Sequence, residues 1–250
     1  MACIKKYLVL LPLLALAFGS RAQQSSAAET AEKVLTQACI EGNAQAIQSA
    51  AMQLATAGTI GADKLEYASN LLSSVEVNGV LFTGSKSDTH PVIMLQFLKN
   101  MRTDVRVIEV DWLENASCFQ RLQNEIGIEK AGTPGIRLLS RKTPVYVSLA
   151  VSKSIIDALE SDLYCTGLAF KCSAAPLANV RGMYNGWWKN CGKTYMTSGY
   201  SLNANYLVPL AMLADYASQA GNKEELQQIR QKYAEVAKSV GEKEKIPSLK

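Results

Sequence analysis

The chain has 250 residues, with 26 Lys and Arg against 22 Asp and Glu, a formal net charge of +4 and a mean hydropathy of +0.01. Lys5, Lys6 and Arg21 lie in a leader-like start, so the rest carries a formal charge of only about +1, too little for the basic footprint of a nucleic-acid binder. No apolar run reaches the roughly 20 residues of a membrane-spanning helix, so no transmembrane segment is expected in the mature chain.

Lys5 and Lys6 precede an apolar run from Tyr7 to Phe18, and Ser20-Arg21-Ala22 supplies small residues around a cleavage point. This pattern predicts a signal peptide over 1–22, a mature chain starting near Gln23, and a periplasmic or secreted location. No cysteine stands at the cleavage point, so no lipid anchor is expected. From Ala28 to about Ala57, apolar residues at Ala31, Val34, Leu35, Ala38 and Cys39 follow helical spacing, and Glu41-Gly42-Asn43 reads as the turn of a helical hairpin. The expected segments are therefore an N-terminal helical part over 23–60, an α/β domain over 61–175, a helical region over 176–241 and a mobile tail over 242–250.

Ala62 to Ser74 reads as a further amphipathic helix, and then the period changes. Gly79-Val80-Leu81-Phe82-Thr83 is a continuous apolar run, as in a strand buried on both faces, and it empties into the polar loop Gly84-Ser85-Lys86-Ser87. Asp88 or Thr89 is expected to cap the next helix, with Pro91 where a missing N–H costs nothing. Val105 to Val110 reads as a second strand, Asn115 or Ser117 as the start of another helix through Ile126, and Pro144 to Leu149 as a third strand. The alternation predicts an α/β fold: a small, mainly parallel, Rossmann-like sheet flanked by helices. Leu163 to Cys172 has β character interrupted by Gly167 and is a candidate edge of that sheet. Helices are expected over Leu177–Cys191, Asn203–Ala220 and Lys223–Val240, the last two as a hairpin of tetratricopeptide type broken at Gly221-Asn222.

The stretch from Leu65 reads LEYASNLLSSVEVNGVLFTGSKSDTHPVIMLQFLKNMRTDVRVIEVDWL. It resembles the soluble C-terminal region of large bacterial multi-span membrane proteins grouped with protein O-mannosyltransferases, in which a YA-NLL helix leads to a strand, a loop reading TNGDNDTFPLWY, a helix and a strand RTDVRVINLSLL. Thr83, Asp88, Thr89 and Pro91 match the loop, whereas Ser85 and Lys86 stand where the family has Gly and Asp. The resemblance extends more weakly to about Val240. It implies the soluble module without the membrane-embedded part to which sugar transfer belongs.

Three groups of residues are candidates for function. Thr83, Ser85, Lys86, Ser87, Asp88, Thr89 and His90 lie where open α/β sheets bind ligands, beyond the carboxyl end of a strand and at a helix N-terminus. The glycines of a nucleotide loop are missing there, and turn-and-cap chemistry is the competing explanation. Tyr184, Trp187, Trp188 and Tyr195 belong to an aromatic group in the helical region. Two adjacent tryptophans are expected to leave one facing outward, as a partner or glycan surface. Five cysteines follow the leader; Cys165 and Cys172 are too far apart to bridge if the residues between them form one strand, which leaves Cys172 with Cys191 as a possible disulfide and buried reduced thiols as the alternative. His90 is the sole histidine and CxxC spacing is absent, so neither a metal nor a cofactor is expected. Glu109, Asp111 and Glu114 cluster after the second strand as carboxylates or as an ordinary solvated loop. These features point to an exported, non-catalytic binding or accessory protein of the bacterial cell envelope, with an envelope protein or glycan partner and a link to glycosylation or an assembly complex. The alternative is a small soluble enzyme acting on a carbohydrate or phosphate ester at the loop after the first strand.

Overall fold

The structure, a computed structural model, describes the backbone of residues 10–192 and 200–241 and the side chains of residues 26–190 and 200–241. The first nine residues, Tyr195, the Cys191 side chain and the tail from 242 lie outside the described residues, and the expectations placed on them go with them. The chain divides into two compact units, Met1–Ile60 and Gly61–Lys250. No helix among the described residues is long and apolar enough to cross a membrane.

The first unit is the expected helical hairpin, α1 (Leu10–Glu41) and α2 (Ala44–Ala57). Its turn follows from local chemistry: Gly42 takes a left-handed φ of 71°, and the Asn43 side chain accepts the Ala46 N–H at 3.1 Å as the cap of α2. Leu35, Ala38, Ala50, Ala51 and Leu54 are all buried.

The second unit is α/β. Helix α3 (Ala62–Leu72) leads to β1 (Val80–Thr83), α4 (Lys86–Lys99) and β2 (Arg106–Glu109); α5 (Ala116–Ile126) and α6 (Gly132–Leu139) lead to β3 (Val145–Ser148). After α7 (Lys153–Leu159) come β4 (Leu163–Cys165) and β5 (Ala169–Cys172). The strand order is β2-β1-β3-β5-β4. Strands β1 and β3 are buried at every position, as their unbroken apolar runs require. Thr83 lies beside Glu109 of β2, and Leu81 lies beside Tyr146 of β3.

The sheet is mixed rather than mainly parallel. β1 pairs parallel with β2 and β3, but β5 runs antiparallel to β3 and to β4. The cause is the turn at Gly167, whose φ of 137° folds the chain back on itself. A Cβ at Gly167 would also stand 2.5 Å from the Ser74 hydroxyl and 2.6 Å from the Trp187 ring. Cys165 and Cys172 therefore sit on two strands of a hairpin, opposite Phe170 and Leu163, and not at the two ends of one strand. Both are buried free thiols. The Cys172–Cys191 pairing has its second member outside the described side chains.

The chain then forms a short helix, α8 (Asn179–Met183), which continues as a π-helix over Tyr184–Gly192. A 3-10 turn (Ser201–Tyr206) opens onto α9 (Leu207–Gln219), which pairs with α10 (Lys223–Ser239). Gly221 is left-handed with φ of 70°, and Asn222 caps α10 by accepting the Glu225 N–H.

Both adjacent tryptophans are inside, contrary to the expectation that one faces solvent. Trp187 is 4% and Trp188 1% exposed. The π-helix is covered on two sides at once. The Trp187 Nε1–H donates to the Asn70 carbonyl of α3 at 3.2 Å, and its ring lies 6.1 Å from Tyr206. The Trp188 Nε1–H donates to the Glu225 carboxylate of α10. Tyr184, half-buried, lies 5.3 Å from Tyr216 and accepts from the Asn222 side-chain amide.

Candidate functional site

The β1 loop brings the predicted residues together, but in the service of the helix that follows. Ser85, not Asp88 or Thr89, is the N-cap of α4. Its side-chain oxygen accepts the Ser87 N–H at 3.3 Å. Asp88 supplies the return arm of a capping box: its carboxylate accepts the Ser85 N–H at 2.9 Å and the Gly84 N–H at 3.1 Å. Ser148, at the end of β3, donates its hydroxyl to the same carboxylate. Burial pushes the Asp88 carboxyl up from its ordinary range, and these three donors pull against it.

Behind the cap, the two threonines form a second cluster. The Thr83 and Thr89 hydroxyls are 2.7 Å apart. Thr89 Oγ1 also lies 2.7 Å from the Ser85 carbonyl and 2.8 Å from Glu109 Oε2. With one proton, it can donate to one of these acceptors at a time. Burial raises the Glu109 carboxyl, the Thr89 hydroxyl opposes this, and the negative charge of Asp88 adds to it. Glu109, the last residue of β2, is thus the one of the three carboxylates Glu109, Asp111 and Glu114 that hydrogen-bonds into the site. Asp111 and Glu114 stay exposed.

A third contact was not legible from local sequence. Pro91 lies inside α4 and lacks the N–H that would bond the carbonyl of Ser87 four residues earlier. The Tyr200 hydroxyl fills that place, donating to the Ser87 carbonyl at 2.7 Å. Tyr200 in turn stands edge-on to Tyr67 at 5.7 Å, and Tyr67 edge-on to Tyr206 at 5.8 Å. Thr83, Asp88, Thr89 and His90 are buried, Gly84 and Ser85 are half-buried, and only Lys86 and Ser87 are exposed.

The crevice that an open sheet offers between β1 and β3 is narrow here. A Cβ on Gly84 would stand 2.3 Å from the Ala150 carbonyl oxygen, so the loop after β1 and the loop after β3 touch backbone to backbone. Gly84 was the available signal for this, since a glycine directly after a buried strand marks such an approach. Among the described residues, no group of three or more His, Cys, Asp or Glu side chains is placed to hold a metal ion.

Residues 64–125 match the family model described as TMEM260-associated domain 2. The match covers about a quarter of the chain, from α3 to α5. No curated protein and no solved structure matches the chain. The TMEM260-like region contains the capping box, the threonine pair and one further device that no sequence argument had found. Arg102, at a positive φ of 48°, donates to the Leu72 carbonyl at 2.8 Å, the Val75 carbonyl at 2.9 Å and the Glu76 carbonyl at 3.0 Å. It ties the C-terminal end of α3 and the segment entering β1 to the turn before β2. Asp104 grips its guanidinium through both oxygens at 2.9 Å and accepts the Asn78 N–H at 3.0 Å. Arg102 holds the Asp104 carboxyl down to about 2. The RTDV text of the matched region is therefore a clamp on the fold.

Proposed function

We propose that this protein is an exported, non-catalytic binding or accessory protein of the bacterial cell envelope, a soluble relative of the C-terminal module of the O-mannosyltransferase-like membrane proteins. The observation that supports it most is the internal use of the β1 loop. Asp88 is bound to Gly84, Ser85 and Ser148, Thr83 is bound to Thr89, and Ser87 is bound to Tyr200, so the groups a reaction would need are engaged in capping and tying the chain. The sheet would carry a Rossmann-like half, and the α9–α10 pair a hairpin of tetratricopeptide type. Contact with an envelope protein or glycan would then run over the helical C-terminal region, where Val208 is 42% exposed, and not through the two tryptophans. Cleavage of the leader would release a chain beginning near Gln23.

The test has two arms. N-terminal sequencing of the protein recovered from envelope and culture fractions should give a start near Gln23, whereas an uncleaved chain in the cytoplasmic fraction refutes export. A broad screen with carbohydrate and phosphate-ester substrates should give no turnover. The enzyme reading draws on two carboxyls with raised proton affinity, the buried Asp88 in the first turn of α4 and the half-buried Glu109 at the end of β2; turnover abolished by Lys86→Ala would establish it instead.

A further inference from the structure

At the other end of β1, where the chain enters the sheet, lies a groove of about 380 Å3, within the size range of small-molecule sites. Tyr146 of β3 and Lys171 of β5 line it on the sheet side, Glu76 on the segment entering β1, and Gly182, Gly186 and Trp187 on the helical side. The Lys171 ammonium pairs with the Glu76 carboxylate and lies 5.9 Å from the Tyr146 ring centroid. The carbonyl of Glu76 is pinned by the Arg102 clamp, so this wall is fixed in place.

The glycines on the helical side have no internal reason to be glycine. At Gly84, Gly135 and Gly167 a Cβ would meet another atom at 2.5 Å or less. At Gly182 and Gly186 it would meet nothing within 4 Å, and neither residue has a left-handed backbone. Glycine weakens a helix, so two of them four residues apart, both facing one groove, keep clear a space that none of the described residues fills.

The charges narrow what could fill it. The Lys171–Glu76 pair is neutral as a whole. A ligand with a single charge would satisfy one member and strand the other beside a partly apolar wall, whereas a ligand carrying both signs exchanges one ion pair for two and leaves no charge unmatched. Lys171 and Glu76 have side-chain exposures of 22% and 54%, enough for the exchange. Val75, Met183 and Trp187 supply apolar surface beside them.

We propose that this groove binds a small zwitterion of the α-amino-acid class with an apolar side chain: its carboxylate meets Lys171, its ammonium meets Glu76, and its side chain lies over Gly182 and Gly186. The site uses no residue of the β1 loop and holds whether or not the accessory reading does.

Calorimetric titration of the full chain with L-phenylalanine, L-leucine and L-methionine tests it. At least one should bind saturably, and N-acetyl-L-phenylalanine and L-phenylalanine amide, each lacking one charge, should bind at least about tenfold more weakly than the parent amino acid. Gly186→Ala should weaken binding several-fold while leaving the melting temperature unchanged or higher, and Lys171→Met should abolish it. Absence of saturable binding up to about 10 mM, equal binding of the blocked analogues, or unaltered affinity in Gly186→Ala each overturns the proposal.

Discussion

Tyr200 and Pro91 form a pair in which one residue makes good what the other removes. Tyr200→Phe should cost about 0.5–1.5 kcal/mol, the net worth of one hydrogen bond. In a Pro91→Ala background, which restores the missing N–H, the same change should cost measurably less, and a double-mutant cycle by chemical denaturation reads the coupling. Additive costs would show that Tyr200 acts only through its ring. Glu109 gives a prediction in pH. Because burial raises its carboxyl above the ordinary 4.5, the folded chain binds that proton more tightly than the unfolded one. The contribution is full below 4.5 and is lost as pH rises through the folded value. Glu109→Gln should therefore gain on the parent between about pH 4 and pH 7 in denaturation midpoints, and a gain that grows on acidification would contradict this. Trp112, 5% exposed, holds an Nε1–H without a partner. Trp112→Phe removes a buried orphan donor and should cost less than about 1 kcal/mol, whereas Trp188→Phe, which strips a hydrogen bond from Glu225, should cost more. At this scale the sequence announced that the loop was made of turn and cap residues, and Ser85-x-x-Asp88 is a visible capping-box spacing. It could not show that the return arm also takes in Ser148, because that residue arrives from a strand 60 positions away.

Among elements, two joints fix how β1 sits. Gly84→Ala would drive a Cβ into the Ala150 carbonyl, which is backbone and cannot swing away; the expected loss is about 3 kcal/mol or more, read as a fall in the thermal midpoint. Arg102 joins α3, β1 and β2 through three carbonyls and Asp104. Arg102→Ala should cost about 2–4 kcal/mol, and Arg102→Lys should recover little of it, since an ammonium cannot copy the planar fork. Asp104, held down to about 2, stabilises the fold above its ordinary 3.8, and that contribution fades as the pH falls from there toward 2. The strands at 80–83 and 145–148 were legible as short, largely apolar runs of a length that suits β structure, and that at 106–109 from its apolar Val107-Ile108 pair between charged ends. The reversal at Gly167 was half legible: the glycine marked a break, but not that the strand after it runs antiparallel to β3.

For the whole molecule, the interior position of β1 between β2 and β3, with every residue buried, should make the amides of Leu81 and Phe82 among the slowest to exchange with solvent. Those of the three-residue edge strand β4 should exchange far sooner, as native-state hydrogen exchange by NMR would resolve. The α/β nature of the second unit and the hairpin of the first could be read from period and turn residues. The two-sided cover of the Tyr184–Gly192 segment could not, because helical spacing assumes 3.6 residues per turn and this stretch is wound more loosely. A looser winding amounts to one residue more than an ordinary helix would use. Excising a single residue from 184–190 would let the segment tighten toward 3.6 residues per turn and change the angle at which successive side chains leave its axis, so that the Trp187 and Trp188 indoles would no longer meet the Asn70 carbonyl and the Glu225 carboxylate together. That segment therefore has a length requirement as strict as any side-chain requirement in the chain, and insertions or losses of one residue there should be tolerated less well than most substitutions.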